Sequence, residues 1–488
     1  MTGPCTFQFL NQQKDLEFPD GWSDSENSGL WNYNLHYFED LNANESESRL
    51  EWHVDLLNSW LDHNPVGSSP AWDSYPTSLR IVNWVKWAIN HKDEFTDLMR
   101  ANLAQQGRWL SQKLDYHLLA NHLWANAKAL VFAGCYFQGK ESDAWLEKGV
   151  RILLQQCDEQ LLKDGGHFEL STMYHSIVLE DCLDLLQLDQ VYPRLIPKPL
   201  IEEVSFRVGA ALDWLVAMSH SREEFAFFND SALGTAPTLV KLEDYAKAIG
   251  VRVSDSAGDG ITWLSESGYI RLTQEPVSII CDVGHIGPDY QPGHAHADTL
   301  SFEMSVLGSK LIANSGISTY EPGVEREFQR STRAHNTVEV DGENSSEVWK
   351  SFRVARRAHT YDLEVDEAAD TITITCSHDG YERLPGKVTH RRLWELTRNQ
   401  LSITDRLIGS FNTASARYYL HPDASMEIET ENRYKLLIGD TFLLFEVIAG
   451  KAFIEDAEYY PEFGVTQASK CLRIEFTSDT VESVISWH

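Results

Sequence analysis

At 488 residues the chain is longer than one compact hydrophobic core supports, so two or three domains are expected. Its 42% hydrophobic content is that of a globular protein, and no apolar run is long enough to cross a bilayer. The formal net charge of -32 argues against a nucleic-acid partner, and any acidic substrate would have to be met by locally concentrated cations.

Residues 1–20 lack a basic start followed by an apolar core, so they do not read as a signal peptide. The chain as it stands reads as cytoplasmic, and as periplasmic if a leader has been removed. The seven cysteines are widely spaced with no C-x-x-C pair, which indicates neither a disulfide framework nor a thiolate zinc site; buried free thiols are expected.

Up to about residue 260 the pattern is helical. Amphipathic stretches run over 79–89, 122–132 and 177–186, with apolar residues at helical spacing. Breaks are expected at Pro65-Val66-Gly67, Gly134, Gly165-Gly166 and Pro193 to Pro199. Many antiparallel helices in one long region suggest a helical array or toroid. Eleven of the 15 tryptophans precede residue 250, a bias that suits a sugar-stacking groove, although most of these rings must serve as core. Two clusters stand out. Asn121-His122 opens an amphipathic helix, where Asn ordinarily caps. Gly165-Gly166-His167-Phe168-Glu169 leads through Tyr174-His175 into another helix, a glycine pair followed by polar and aromatic groups as in a site loop.

Beyond residue 260 the period changes to two, at 269–272, 277–281, 371–376, 401–404, 442–447 and 472–476. Helices followed by strands in blocks point to a multidomain α+β chain: a helical domain over 1–255 and an antiparallel β-sandwich over 256–488. Within this half lies Gly293-His294-Ala295-His296-Ala297-Asp298, read as the entrance to a strand in which His294 and His296 share a face. Asn314 follows a further strand, and His335 enters another. His296, Asn314 and His335 are nitrogen and oxygen donors of the kind zinc accepts, with a neutral amide giving a weaker site than a carboxylate. Cations are grouped at Arg353-Val354-Ala355-Arg356-Arg357-Ala358-His359 and at Arg326, Arg330 and Arg333.

Taken together these clusters resemble the heparinase II/III-like polysaccharide lyases. The resemblance starts at Trp31-Asn32-Tyr33-Asn34-Leu35-His36-Tyr37-Phe38, passes through Ser78-Leu79-Arg80-Ile81-Val82-Asn83-Trp84, and is most specific from Gly293 to Asp298 and from His335 to Gly342. It implies an (α/α) toroid followed by a β-sandwich, and β-elimination of an acidic polysaccharide. It gives Tyr174 and His294 the catalytic acid-base roles, and Asn121 and His122 the neighbourhood of the substrate carboxylate. Arg80, Glu169, His175, Tyr320 and Arg333 become candidates for substrate contacts. His296, Asn314 and His335 fall where relatives hold a structural zinc, with Asn314 in place of the usual Asp.

In such a reaction the C5 proton of a uronate is removed beside a carboxylate, and an amide or imidazole must neutralise the charge that builds up. Tyrosine, with a pKa of about 10, serves as acid for the departing O4, and as base only if neighbouring cations lower it. His122 and His294 are both left open as the base. Two other readings stand beside this one: a toroidal glycoside hydrolase using paired carboxylates from Glu169, Glu180 and Asp230, and a non-catalytic glycan-binding protein of the same fold. The oligomeric state is not readable.

Overall fold

The computed structural model describes residues 1–254, 258–368 and 370–487. The expected domain boundary at 255–256 lies outside the described residues. Cα proximity groups the chain into two compact units, one of residues 1–161 with 180–208, the other of 162–179 with 209–488.

The first unit is helical apart from a short N-terminal hairpin, Thr6–Phe9 with Gln12–Asp15, which the helical periodicity did not predict. Its helices are α1 (Gly29–Tyr37), α2 (Leu50–His63), α3 (Ser74–Asn90), α4 (Asp97–Gln112), α5 (Ala120–Tyr136) and α6 (Lys140–Gln160), joined by parts of α7 (Thr172–Val191) and α8 (Lys198–Ala217). The expected helices over 79–89, 122–132 and 177–186 fall in α3, α5 and α7. Gly134 does not break the chain. It lies within α5, where an added Cβ would come 2.7 Å from Leu146 of α6, and at Gly149 of α6 one would come 2.7 Å from the Ala127 carbonyl. Both glycines bring the two helix backbones together.

The tryptophans of this unit are mostly core. Trp22, Trp31, Trp60, Trp72, Trp84, Trp87, Trp124 and Trp145 are buried, while Trp52 and Trp109 are half-buried. The expected sugar-stacking groove is therefore not built from the majority of these rings. A buried charge network also sits here: Lys128 bridges Asp181 and Asp184, and Lys86 reaches both oxygens of Asp184 at 2.8 Å.

The second unit carries α9 (Leu239–Ala248), α10 (Val324–Gln329), a two-stranded ribbon of Val348–Trp349 with Arg353–Val354, and three larger antiparallel sheets. One is a five-stranded meander from Gly260–Leu264 to Ser309–Ile312. A second has four strands in the order Lys451–Tyr459, Gln467–Glu475, Ala414–Tyr419, Val338–Val340. The third has eight, from Thr360–Ala368 at one edge to Ala424–Thr430 at the other. All six segments of period-two sequence fall on these strands, the last overrunning its strand end at Glu475 by one residue. One apolar core, including Phe302, Ile374, Trp394, Ile403, Leu472 and Ile485, takes residues from all three sheets. In Val388–Thr397 every second residue is buried, as a one-sided strand requires. All seven cysteines are free and all but Cys5 are buried. No helix among the described residues is long and apolar enough to cross a membrane.

Candidate active site

Three loops of the second unit meet around Asp230. Gly165 and Gly166 open the first. Gly165 has φ +93, and a Cβ there would stand 2.1 Å from the Ala210 carbonyl; one on Gly166 would stand 2.6 Å from the Trp214 indole nitrogen. Only glycine allows this approach. The loop then delivers Glu169, and Tyr174 in the first turn of α7. The second loop carries Asn229-Asp230, and the third the H-x-H motif. Leu170 and Asn229 take positive φ, 58 and 55, next to Glu169 and Asp230. Backbone strain of this kind gathers where a structure must fix side chains for function. Asn229 ties the loops together: Nδ2 donates to the Leu170 carbonyl at 2.9 Å, and Oδ1 accepts from the His296 amide at 3.1 Å.

The H-x-H motif is not a strand entrance. It lies in a loop, with the neighbouring strand starting only at Phe302. Its two imidazoles still converge, because both bind one carboxylate. His294 Nδ1 is 2.8 Å from Asp230 Oδ2, and His296 Nε2 is 2.8 Å from Asp230 Oδ1. Arg326, fully buried on α10, grips both oxygens of Asp230. Burial alone would push the Asp230 carboxyl up, but the Arg326 guanidinium and the two imidazoles hold it well below the usual carboxylate range. Asp230 is thus a fixed anion. Its bond to His294 Nδ1 leaves His294 Nε2 turned toward Glu169, 3.5 Å away.

Tyr174 packs its ring on His294, with centroids 4.0 Å apart, and its hydroxyl lies 3.1 Å from that of Tyr320. Phe352, 43% exposed, borders both His294 and Tyr320, with ring centroids at 5.6 and 5.2 Å. Burial first, then Tyr320 and the carboxylates of Glu169 and Asp230, push the Tyr174 phenol well above its ordinary value. Lowering of this tyrosine by nearby cations is therefore not what the structure gives, since the local charge is anionic.

Tyr174, His294, Glu169 and Tyr320 come together as one cluster. Two other candidates for substrate contact do not. Arg80 is fully buried in the helical unit, bonded through Nε to Gln106, Nη1 to the His36 carbonyl and Nη2 to Thr77, and stacked over Trp60 at 4.2 Å. It holds core helices and has no open face for a sugar. His175 is buried, with Nε2 on the Ala211 carbonyl and its ring 4.3 Å from that of Trp214. Arg333 is exposed on the 3-10 turn Thr332–Ala334. In the helical unit, Asn121 is the second residue of α5 and not its cap, a position held by Leu119. Leu119 and Ala120 both take positive φ, 58 and 47. His122 Nδ1 lies 3.5 Å from Asp115, and its ring is 4.6 Å from that of Tyr75.

Of the proposed zinc ligands, His296 Nδ1 and His335 Nε2 lie 3.1 Å apart. Asn314 is committed elsewhere. Its Oδ1 accepts from Asn336 N and Nδ2 at 3.1 and 3.2 Å, and its Nδ2 donates to the Phe227 carbonyl at 3.0 Å. Among the described residues no three His, Cys, Asp or Glu side chains form a group able to hold a metal. The residues present do not fit a zinc ion.

Sequence reading did not identify Phe352 or Asn336 as site residues, named Arg326 only within a cation cluster, and weighed Asp230 only as a hydrolytic acid. Arg326 lies 96 residues from Asp230, and nothing in the local sequence ties the two together.

A helical region followed by antiparallel sheets, with a paired Tyr and His on the sheet-bearing unit, is the arrangement of the toroid-plus-sandwich fold. The chain belongs to the heparinase II/III-like family: residues 32–251 match its model for the heparinase II/III N-terminus, and 257–488 its heparinase II/III-like C-terminal model. Relatives include a heparin-sulfate lyase of Bacteroides thetaiotaomicron, 22% identical over 71% of this chain and 53% of the relative. One from Pedobacter heparinus is 23% identical over 74% and 56%. FtsZ-localized protein C of Caulobacter vibrioides is 24% identical over 71% and 60%. The chain thus matches between about half and three fifths of the length of these relatives. Among solved structures, heparinase III shares the fold with a TM-score of 0.76 and 18% identity, over 97% of this chain and 80% of that one. A chondroitin AC lyase of Streptomyces coelicolor A3 shares it with a TM-score of 0.56 and 9% identity, over 94% and 75%.

Proposed function

We propose that this chain is a polysaccharide lyase that cleaves a uronate-containing glycan by β-elimination. The observation that carries the reading is the closely packed Tyr174–His294 pair with Asp230 fixed behind it. Asp230 accepts from His294 Nδ1–H and so leaves Nε2 with the free lone pair. In the proposed step His294 Nε2 takes the C5 proton. The C5 electron pair becomes the C4–C5 double bond, and the C4–O4 bond breaks. Tyr174 gives its proton to O4, and the phenolate and imidazolium then return to neutrality through solvent. A phenol held above its ordinary pKa is protonated at neutral pH, which suits the acid role and disfavours Tyr174 as base. Tyr320, within hydrogen-bond reach, stabilises the transient phenolate.

For Asn121 and His122, in the helical unit, the task of neutralising the uronate carboxylate rests on their motif alone. The exposed Phe352 offers an apolar face for a sugar ring.

The hydrolase reading needs two carboxyl groups that cycle protons. Asp230 is locked as an anion by Arg326, and Glu180 belongs to the buried lysine network of the helical unit, so the geometry favours the lyase. The third reading is a non-catalytic glycan-binding protein of the same fold. One experiment separates the three. The purified chain is incubated with a panel of uronate polymers, and products are followed by the ultraviolet absorbance of a C4–C5 unsaturated uronate. A lyase gives absorbing products that vanish in Tyr174→Phe and His294→Ala. New reducing ends without absorbance would establish hydrolysis, and a chain that binds polymer without cleaving it would establish the third reading.

A further inference from the structure

We infer that Asn314, committed to Asn336 and to the Phe227 carbonyl, withholds the third donor from the His296–His335 pair, so that this chain builds the support behind His294 without a metal. Much of a zinc site is present. The two imidazole nitrogens are 3.1 Å apart. Two ligands each about 2.0–2.1 Å from a tetrahedral ion stand roughly 3.3 Å from one another. The outer nitrogens also have the partners usual for zinc-bound imidazoles, His335 Nδ1 on the Ser331 carbonyl at 2.7 Å and His296 Nε2 on Asp230 at 2.8 Å.

The third donor is what fails. Both lone pairs of the Asn314 carbonyl are taken by Asn336, and its amide nitrogen faces the Phe227 carbonyl. Flipping the amide would set its oxygen against a carbonyl and its N–H groups against the donors of Asn336, so the orientation is fixed. The positive charge a metal would bring is supplied by another group. Arg326 delivers it through Asp230 to both His294 and His296. The family resemblance sets an acidic ligand at position 314, so one substitution should recover the metal: Asn314→Asp supplies the anionic oxygen expected there.

The test is metal content and thermal stability, with no substrate needed. Wild-type protein is incubated with zinc, desalted and analysed. It should retain about one tenth of a zinc per chain or less, and its Tm should not move with zinc or with a chelator. Asn314→Asp should retain about one zinc per chain, with a Tm raised by zinc and lowered by chelation, and Asn314→Asp/His335→Ala should lose both properties. Wild-type protein that holds one zinc per chain, lost in His335→Ala, overturns the inference. So does a folded Asn314→Asp that gains none, since Asn314 would then not be what keeps zinc out. If Asn314→Asp does not fold, the wild-type zinc content decides alone.

Discussion

Four charge-assisted hydrogen bonds converge on Asp230, two from Arg326 and one each from His294 and His296. Such bonds contribute about 1.5–3 kcal/mol each when made, and leaving one partner buried and unpaired is the larger effect. Asp230→Asn keeps the shape but strands the Arg326 charge and removes what fixes the His294 tautomer. It should lower turnover on the order of 10²- to 10⁴-fold while also lowering Tm, measured by initial rates and thermal melts. The pH sign follows from the carboxyl lying below its unfolded value. Its stabilisation is fully present above the unfolded carboxylate pKa of about 3.9 and is lost as pH falls through the folded value. The Tm gap between wild type and Asp230→Asn should therefore stay constant from about pH 5 to 8 and close in acid. A gap that changes with pH in the neutral range would point to a different ionisation. At Phe352 a change to Ala should raise KM several-fold with kcat little changed, because the ring is proposed to bind sugar and not to react.

Among the elements, two features set where these residues end up. Gly165 lets its loop touch the Ala210 carbonyl, so Gly165→Ala should destabilise by about 2 kcal/mol or more and reduce activity through misplaced Glu169 and Tyr174, read by denaturant melts. In the helical unit, Lys128 stands between two aspartates whose fates differ. Burial raises the Asp181 carboxyl more than Lys128 draws it down, whereas at Asp184 two lysines overcome burial and depress it. Lys128→Met would leave Asp184 with Lys86 alone and should cost about 3–5 kcal/mol, checked by chemical denaturation at pH 7. Most helices and strands were legible from their periods, since those periods are set by one buried face. The reading failed where burial was two-sided or the backbone irregular. Gly134 looked like a break and is a packing contact, and the H-x-H motif looked like a strand because its spacing alone cannot distinguish an extended run from a loop anchored by Asn229.

For the molecule as a whole the net charge of -32 limits the substrate. Of the two cation clusters seen in the sequence, Arg333 and Arg353 are exposed, while the other arginines are largely committed. Arg326 and Arg330 are buried on Asp230 and on backbone carbonyls, Arg356 is paired with Glu347, and Arg357 lies 3.5 Å from Asp289. A densely sulfated polymer would meet net repulsion with few cations to offset it. The chain should therefore act faster on unsulfated uronate polymers than on sulfated ones of the same backbone, and moderate salt should lower KM by screening, as the Debye length shrinks to about 10 Å at 0.1 M. Rates that rise with sulfation would overturn this.

The order of helices before strands, the family motif and the candidacy of Tyr174 and His294 were all present in the linear pattern, because periodicity and short motifs are local properties. The partners that give these residues their chemistry were not. Asp230 and Arg326 reach His294 from remote positions. The burial of Arg80 and His175 depends on what packs over them, and the commitment of Asn314 depends on Asn336. Hydrogen-bond saturation and burial are properties of three-dimensional neighbours, so the tertiary structure alone decided which of the polar residues in the sequence support the fold and which face the reaction.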